Sequence, residues 1–480
     1  ILRMRASKLA APDSNIREEL SGMNLRYGLS AIALLAFLGV NATTADAQSL
    51  RDALAQTYET NPDLAAERAG LRATDESVPQ ALSNWRPSVE IDSSYGLRKR
   101  ERDFSTSPTA IKNADQPQSV SLSVSQNLFR GFRTIAETDN ARNLVAAGRA
   151  NLIDAEQTVL LEAVTAYVDV VRDRVILSLR ENNVRVLEQE RQATADRFEV
   201  GELTRTDVAQ ADSRLAQAIS ERTEAQGNLN SSNANYVEVI GTAPGDLVRP
   251  SLPAGLPGSE EDAVQQAKTN NPSVVAQDFS EQADRDNIDL IVGELLPTLT
   301  LDGEVERNKD VLGADTVTTE QSVTLNLTVP LYQAGDVYSR VRAAKQSANQ
   351  SLLQLAEEER QAQEAARESW ADLNSASSRI VSGEAEVAAQ EIAFEGVQQE
   401  AQVGSRTVLD VLDAEQELLN SRVDLVVAQR DEILAAYQLL QAIGRLTAQD
   451  LGLPVAIYDP TENFRDVEDK LFGSDILDEN

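Results

Sequence analysis

An internal repeat is the feature that most restricts how this chain can fold. Short motifs in the first half recur in the second half after about 210 residues, and later motifs recur after about 203 residues. We therefore divide the chain into two copies, residues 48–247 and 259–451, joined by a Pro- and Gly-rich linker at 248–258. The recurring motifs are Asn61-Pro62 with Asn271-Pro272, Val200-Gly201 with Val403-Gly404, Asp207 with Asp410, and Gly241 with Gly444.

Proline is absent from a long stretch of each copy, between Gln118 and Ala243 and between Leu331 and Leu453. Because an interior proline breaks a helix, these stretches predict long helices, from near Arg133 to Glu199 and from near Asp336 to Gln402. Each helix of about 65 residues would extend for ~100 Å. No soluble compact domain needs helices of that length.

A glycine interrupts the helical pattern once in each copy, at Gly201 and Gly404. Beyond each glycine the chain is predicted to turn back into a shorter helix. The last of these helices carries apolar residues seven positions apart, which is typical of a seam between packed helices. These residues are Leu412, Leu419, Val426, Ile433 and Leu440.

Alternating apolar and polar residues predict one β-hairpin in each copy, within residues 87–129 and 297–331. Polar loops are expected near 101–117 and 307–320. The chain thus offers four strands, which are too few to close a barrel, although every strand in a bilayer needs a neighbour on both sides. Small polar residues on one face and Val, Leu or Ile on the other suit a water-filled lumen and a lipid exterior.

The composition argues against several functions. The chain has 44 Lys and Arg against 77 Asp and Glu, a formal charge of −33, and neither His nor Cys. Nucleic-acid binding depends on basic patches, so it is not expected. Without His or Cys, the chain lacks thiol nucleophiles, Ser-His triads and His/Cys metal sites. We therefore expect a protein that is not an enzyme and that needs no cofactor or metal.

The N-terminal region has the pattern of a secretory signal peptide at residues 23–47. It has a basic start at Arg26, an apolar run from Ile32 to Val40, and small residues before a cleavage site between Ala47 and Gln48. The apolar run is about half the length that a transmembrane helix requires. Residues 1–22 carry no such pattern, which indicates a possible upstream extension of the reading frame.

The order of these motifs resembles that of the TolC-type outer-membrane efflux proteins. The resemblance covers residues 49–451 and includes the segment 403–414, which reads VGSRTVLDVLDA. It implies an α+β membrane protein with two tandem structural repeats. In that architecture a homotrimer forms a 12-stranded β-barrel from four strands per chain, continued by a long α-helical barrel.

The resemblance also implies a function and partners. Members of the family act as passive exit ducts of tripartite efflux pumps and type I secretion systems, in the outer membrane and projecting into the periplasm. They dock onto a periplasmic adaptor protein, which works with an inner-membrane pump or ABC transporter. The missing Cys excludes the lipidated branch of the family. A periplasmic coiled-coil scaffold or adaptor is the alternative, although such proteins usually have one helical hairpin rather than two.

Two aspartates are candidates for the channel constriction that the resemblance implies. Asp410 and Asp413 have a spacing that places both carboxylates on one helix face, and three chains would gather six such charges into a cation-favouring ring. However, Thr204 with Asp207 and Thr407 with Asp410 also have the spacing of helix N-caps. Ring and cap both stay open for Asp410, whereas Asp413 lies one turn deeper and has no capping role.

The resemblance also implies a gate close to these aspartates. Arg406 occupies the position of the family's gating arginine, and Asp207 that of its partner carboxylate. Two positions differ from the best-known pattern: Ala401 replaces an aromatic gate residue, and Asp196 replaces a polar amide, so the closed state would depend more on charge. The resemblance assigns adaptor docking to the hairpin tips around Gly201 and Gly404.

The C-terminal residues 452–480 are rich in acids. Their composition predicts a solvated, partly disordered tail.

Overall fold

The computed structural model describes residues 48–102, 111–312 and 315–475. The possible upstream extension, the signal peptide with Ala47, and residues 476–480 of the acidic tail lie outside the described residues. Gln48, on the other side of the expected cleavage site, forms a parallel bridge with Leu247, and its backbone N–H donates to the Asp246 carbonyl at 2.9 Å.

Helices and strands follow the same order in the two halves of the chain. The first half contains helices α1 (Leu50–Thr60), α2 (Pro62–Asp75) and α3 (Ser77–Leu82), strands β1 (Ser88–Tyr95), β2 (Arg98–Arg102), β3 (Ile111–Asp115) and β4 (Gln118–Arg130), and helices α4 (Arg133–Glu199) and α5 (Arg205–Ile240). The second half contains α6 (Glu260–Asn270), α7 (Pro272–Val292), β5 (Thr298–Lys309), β6 (Val317–Thr328), α8 (Asp336–Gln402), α9 (Val408–Ala442) and α10 (Glu462–Val467). A short 3-10 turn precedes the first strand of each half, at Ser83–Trp85 and Gly293–Leu295.

The repeated Asn-Pro motif separates the first two helices of each half. Asn61 ends α1, and its side-chain oxygen accepts hydrogen bonds from the Asp63 and Leu64 backbone N–H groups at the start of α2. Pro62 occupies the first position of α2, where the missing N–H costs nothing. Asn271 acts in the same way at the start of α7.

The long strands form one antiparallel sheet in the order β1-β4-β5-β6. The central pair, β4 and β5, comes from different halves of the chain, so the two predicted hairpins lie side by side. A register shift near Asn127 interrupts this central pair at the end nearest the helices. The outer edges of β1 and β6 pair with no other strand of the described residues.

The first hairpin is longer than the sequence pattern suggested. The polar loop expected near 101–117 is partly a second antiparallel pair, β2 with β3, in which Arg98 faces Asp115. Arg98 also donates to the backbone carbonyls of Asp310 and Val311, which ties this pair to the turn of the second hairpin. The expectation of a loop was wrong here because backbone pairing does not require the alternating apolar side chains on which the prediction of strands depended.

The sheet has one apolar and one polar face. Opposite residues of antiparallel strands lie on the same face, and the register aligns Ile91 with Leu122, Leu122 with Val305, and Leu301 with Leu325. These side chains are exposed; Ile91, for example, keeps 72 % of its accessible surface. The opposite face carries hydroxyl-bearing side chains and acids. The acids on this face are Glu90, Asp92, Asp302, Glu304, Glu306 and Glu320.

The two long helices confirm the prediction from proline placement. Both α4 and α8 have 67 residues, which corresponds to ~100 Å at the helical rise. Each turns back at its tip, so that α4 packs against α5 and α8 packs against α9 as two helical hairpins. The predicted seam on α9 is largely buried, with Leu412 and Leu440 each 2 % exposed.

The main core lies where the short helices pack against the long ones. It includes Leu54 of α1, Tyr167 of α4 and Leu440 of α9. The Tyr167 hydroxyl lies within hydrogen-bond distance of the Gln48 and Val248 carbonyls, and this contact holds the linker against α4. The core therefore joins both halves of the chain and the linker.

The prediction of a solvated, partly disordered tail was wrong for the segment that forms a packed helix, whereas residues 469–475 are exposed, as expected. The tail contains helix α10, in which Asn463 and Val467 are buried. Asn463 donates to the Asp75 carboxylate at 2.9 Å, and Arg142 of α4 pairs with Glu468 at 3.1 Å. Apolar residues spaced among the acids give the tail a face to bury, which its net charge does not reveal.

No helix within the described residues combines the length and the apolar character needed to cross a membrane.

Candidate gating site at the helical tips

Each helical hairpin reverses direction at a glycine with a left-handed backbone, Gly201 with φ +84° and Gly404 with φ +79°. Each turn caps the last carbonyls of the preceding helix. The Glu202 backbone N–H donates to the Arg197 carbonyl at 2.9 Å, and the Ser405 backbone N–H donates to the Glu400 carbonyl at 3.0 Å. The two tips have the same local construction, in accordance with the repeated Val-Gly motif.

The return helices begin with equivalent capping boxes. The Asp207 carboxylate accepts hydrogen bonds from the Thr204 hydroxyl at 2.7 Å and from its backbone N–H at 2.8 Å. Asp410 accepts the same two bonds from Thr407, at 2.8 Å and 2.9 Å. These hydrogen bonds lower the pKa of both carboxyls. The bond from the Thr204 hydroxyl has the largest effect on Asp207, and the bond from the Thr407 backbone N–H has the largest effect on Asp410. The alternative that both aspartates act as caps therefore has a direct structural basis.

The other residues of the expected gate pair locally within this chain. The Arg406 guanidinium donates to Glu400 at 2.8 Å, and this bond raises the pKa of Arg406. Asp196 accepts a hydrogen bond from Gln192 of its own helix at 2.7 Å. Within the chain, the structure therefore brings Arg406 to Glu400 and does not pair it with Asp207 or Asp196.

Asp413 has a partner that the sequence did not suggest. Arg214 of α5 donates to the Asp413 carboxylate of α9 at 2.5 Å, so the ion pair joins the first helical hairpin to the second. The repeat gives no hint of this pair, because Glu417 occupies the position equivalent to Arg214. The only sequence signal is a basic residue two helical turns after Asp207, on the same helix face.

Beneath the tips, α4, α5 and α9 meet in a small contact that we call the tip joint. Its apolar part consists of Val184, Leu187, Ala218, Val408 and Leu412. One turn further along α9, the Glu415 side chain is buried at 9 % exposure. Burial, with a smaller contribution from Glu190 of α4, raises the pKa of Glu415 to about 7.

The carboxylates near the tips do not form a metal site within one chain. No group of three or more potential ligands that could hold a metal ion occurs in the part of the chain that the structure describes. The tips instead contain ion pairs and capped carboxylates at the end of two long hairpins.

Comparison with known proteins identifies the family. The family model for "Outer membrane efflux protein" matches residues 53–242 and 263–445. The chain is similar to the outer membrane efflux protein BepC of Brucella suis, with 33 % identity over 93 % of this chain and 96 % of that protein. It is 26 % identical to the outer membrane protein TolC of Vibrio cholerae, over 88 % of this chain and 97 % of that protein.

A solved structure shows the same fold. The outer membrane channel CmeC of Campylobacter jejuni superposes with a TM-score of 0.74 at 15 % identity, over 88 % of this chain and 89 % of that one. The chain belongs to the outer membrane efflux protein family, as the resemblance predicted. It is an efflux protein of the outer membrane, with the α+β fold of the family's channels.

Proposed function

We propose that three copies of this chain form the passive exit duct of tripartite efflux pumps or type I secretion systems. In this proposal the chain is not an enzyme and binds no cofactor. The two halves, residues 48–247 and 259–451, act as structural repeats, and residues 23–47 act as a signal peptide cleaved after Ala47. The linker 248–258 joins the repeats.

The observation that carries the proposal is the sheet. Its two free edges, on β1 and β6, leave unpaired backbone groups that a bilayer cannot solvate. Pairing β1 of one chain with β6 of the next removes every edge, and three chains then supply twelve strands. The exposed apolar face would meet lipid, and the acidic face would line a lumen that favours cations.

The long helical hairpins support the second half of the proposal. Hairpins of ~100 Å attached to one end of the sheet would carry the duct far from the membrane, into the periplasm. The tips at Gly201 and Gly404 would then meet a periplasmic adaptor, and the adaptor would connect the duct to an inner-membrane pump or ABC transporter. Asp410 and Asp413 would line the constriction at this end.

The proposal predicts that the detergent-solubilised protein is a trimer and forms cation-selective pores in planar bilayers. A matched pair of variants tests the assignment of the faces. Leu325→Lys places a charge on the apolar face, where a mid-bilayer lysine costs about 2–4 kcal/mol, so insertion should fall strongly. Thr324→Lys places the same charge on the polar face and should insert normally.

The competing function, a periplasmic scaffold or adaptor, gives a different outcome. A chain that is monomeric and soluble without detergent would contradict the duct. Equal insertion of Leu325→Lys and Thr324→Lys would show that neither face meets lipid.

The gate proposal predicts that Arg406 and Asp207 of neighbouring chains hold the closed tips together. Arg406→Ser and Asp207→Ala should each increase single-channel conductance. Exposed pairs contribute less than about 1 kcal/mol each, so the effect depends on the three copies acting together. Because Asp207 also caps α5, Thr204→Ala is the matched control, since it removes the cap hydroxyl and keeps the carboxylate. Unchanged conductance in both charge variants, or an equal rise in the control, would remove the assignment.

A further inference from the structure

The Arg214–Asp413 ion pair has an unusual position among the ion pairs near the tips. Arg191–Asp212 links α4 with α5 at 2.9 Å, and Arg422–Glu391 links α9 with α8 at 2.7 Å, so both lie within one hairpin. Arg214–Asp413 links α5 with α9, and thus connects one hairpin with the other. Any movement that separates the hairpins at their tips has to break this pair.

The rest of the tip joint holds the hairpins only weakly. Its apolar part is five buried side chains, one of them an alanine, with the partly buried Leu203 and Leu215 packed against them, far fewer than the main core contains. The buried Glu415 on α9 faces Glu190 on α4, which opposes close packing when both are ionised. A joint with little apolar burial and one attractive charge pair can open at low cost.

The same pair also places the positive charge of Arg214 beside the negative charge of Asp413. With Arg214 bonded to it, the aspartate presents little net charge to its surroundings, although 54 % of the side chain is exposed. Asp410 is engaged by its cap, where the Thr407 backbone N–H and hydroxyl lower its pKa, with a smaller contribution from the nearby Arg406 guanidinium. The charge that the tip presents therefore changes when Arg214 leaves Asp413.

We propose that Arg214 and Asp413 form an intrachain latch that couples opening of the tips to their ion selectivity. While the pair is intact, α9 is held to the first hairpin and Asp413 is neutralised. When the hairpins separate, the pair breaks, and each of the three chains adds one free carboxylate to the constriction. This inference rests on the proposed function, and it names a residue, Arg214, that sets both the opening and the selectivity of the duct.

Partly exposed ion pairs give a modest effect per chain. Loss of one pair should favour the open state by up to about fivefold, and three chains acting together should raise this to about a hundredfold. This shift toward the open state is large enough to appear as a change in open probability in a single-channel record.

The test compares variants of the full chain in planar bilayers, with conductance and the reversal potential in a KCl gradient as the readouts. Arg214→Gln should raise open probability and increase cation selectivity, because Asp413 is then unpaired. Asp413→Asn should raise open probability and decrease cation selectivity. The exchange R214D/D413R should restore the closed behaviour. The control Arg191→Gln breaks a similar pair within one hairpin and should change neither readout.

The absence of Cys from the chain allows a second measurement. In the R214C/D413C variant, a bismaleimide cross-linker joins the only two thiols and should hold the pores closed, whereas the cross-linked R191C/D212C variant should open normally. Wild-type behaviour of Arg214→Gln, or equal effects of the two cross-links, would overturn the latch and leave the duct intact. Failure of the wild-type chain to form any pore would overturn both.

Discussion

Replacing Gly444 with alanine is expected to destabilise the chain by about 2–5 kcal/mol, a large part of a typical free energy of unfolding, so the yield of assembled protein should fall strongly. Gly444 follows α9 with φ +75°, in the left-handed region. A side chain there costs about 1–2 kcal/mol. An added Cβ would also lie 2.2 Å from the Asn270 carbonyl oxygen, which is backbone and cannot move aside, so that overpacking adds about 1–3 kcal/mol.

Gly241 is the matched control, because it occupies the equivalent position after α5 in the first half of the chain. Its φ is +86°, but the nearest atom to an added Cβ is the Thr60 hydroxyl oxygen at 3.7 Å, an ordinary contact. Gly241→Ala should therefore cost only the backbone strain, about 1–2 kcal/mol. Thermal unfolding by circular dichroism and the yield of detergent-solubilised trimer would measure both variants. Equal losses would show that the approach to Asn270 does not restrict position 444.

Replacing Glu415 with glutamine is expected to stabilise the tip joint at neutral and higher pH. The folded-state pKa of about 7 lies above the ordinary value of 4.5, so the folded chain holds this proton more tightly than the unfolded chain does. The stability that results is fully present below pH 4.5 and is lost as the pH rises through about 7. This difference between the folded and unfolded pKa values corresponds to up to about 3 kcal/mol in the free energy of unfolding.

Glutamine keeps the shape of the side chain and does not ionise. In the wild-type chain, local stability at the tip joint should fall between pH 5 and 8, and in Glu415→Gln it should vary much less. Hydrogen exchange of the α9 backbone near Leu412 would report this local stability. Glu417→Gln, at an exposed position on the same helix, is the control and should keep the wild-type pH profile. A wild-type profile for Glu415→Gln would show that the carboxyl is solvated in the assembled protein.

The long helices were predictable because their determinants are local. A proline-free stretch bounded by glycine contains enough information to place α4 and α8, and the structure begins and ends both helices at the predicted residues. The Thr204 and Thr407 capping boxes are also local signals, since the residues that bond to one another lie three positions apart. Spacing alone could not decide between a cap and a ring for Asp410.

The sheet was only partly predictable. Alternation predicts the four long strands but not β2 and β3, because the charged residues of these two strands carry no alternating apolar signal. The pairing of β4 with β5 joins residues that are far apart in the chain, from Gln118 with Lys309 to Arg130 with Thr298, and no local pattern specifies which hairpin edge meets which. The packed tail was missed for a similar reason: its buried Asn463 depends on Asp75, far away in the chain.

The sequence by itself determined the repeat, the lengths of the helices, the caps at the tips and the polar and apolar faces of the strands, because each depends on residues a few positions apart. Only the tertiary structure decided which charges meet across the tips. Arg214 and Asp413 belong to different hairpins, and Glu415 is buried on α9, beside the tip joint where α9 meets α4 and α5. Likewise, Gly241 and Gly444 are equivalent in the repeat, but only Gly444 lies against a distant backbone carbonyl. Ion pairing, burial and close approach depend on distances in space, and two copies of one motif acquire different neighbours when the chain folds.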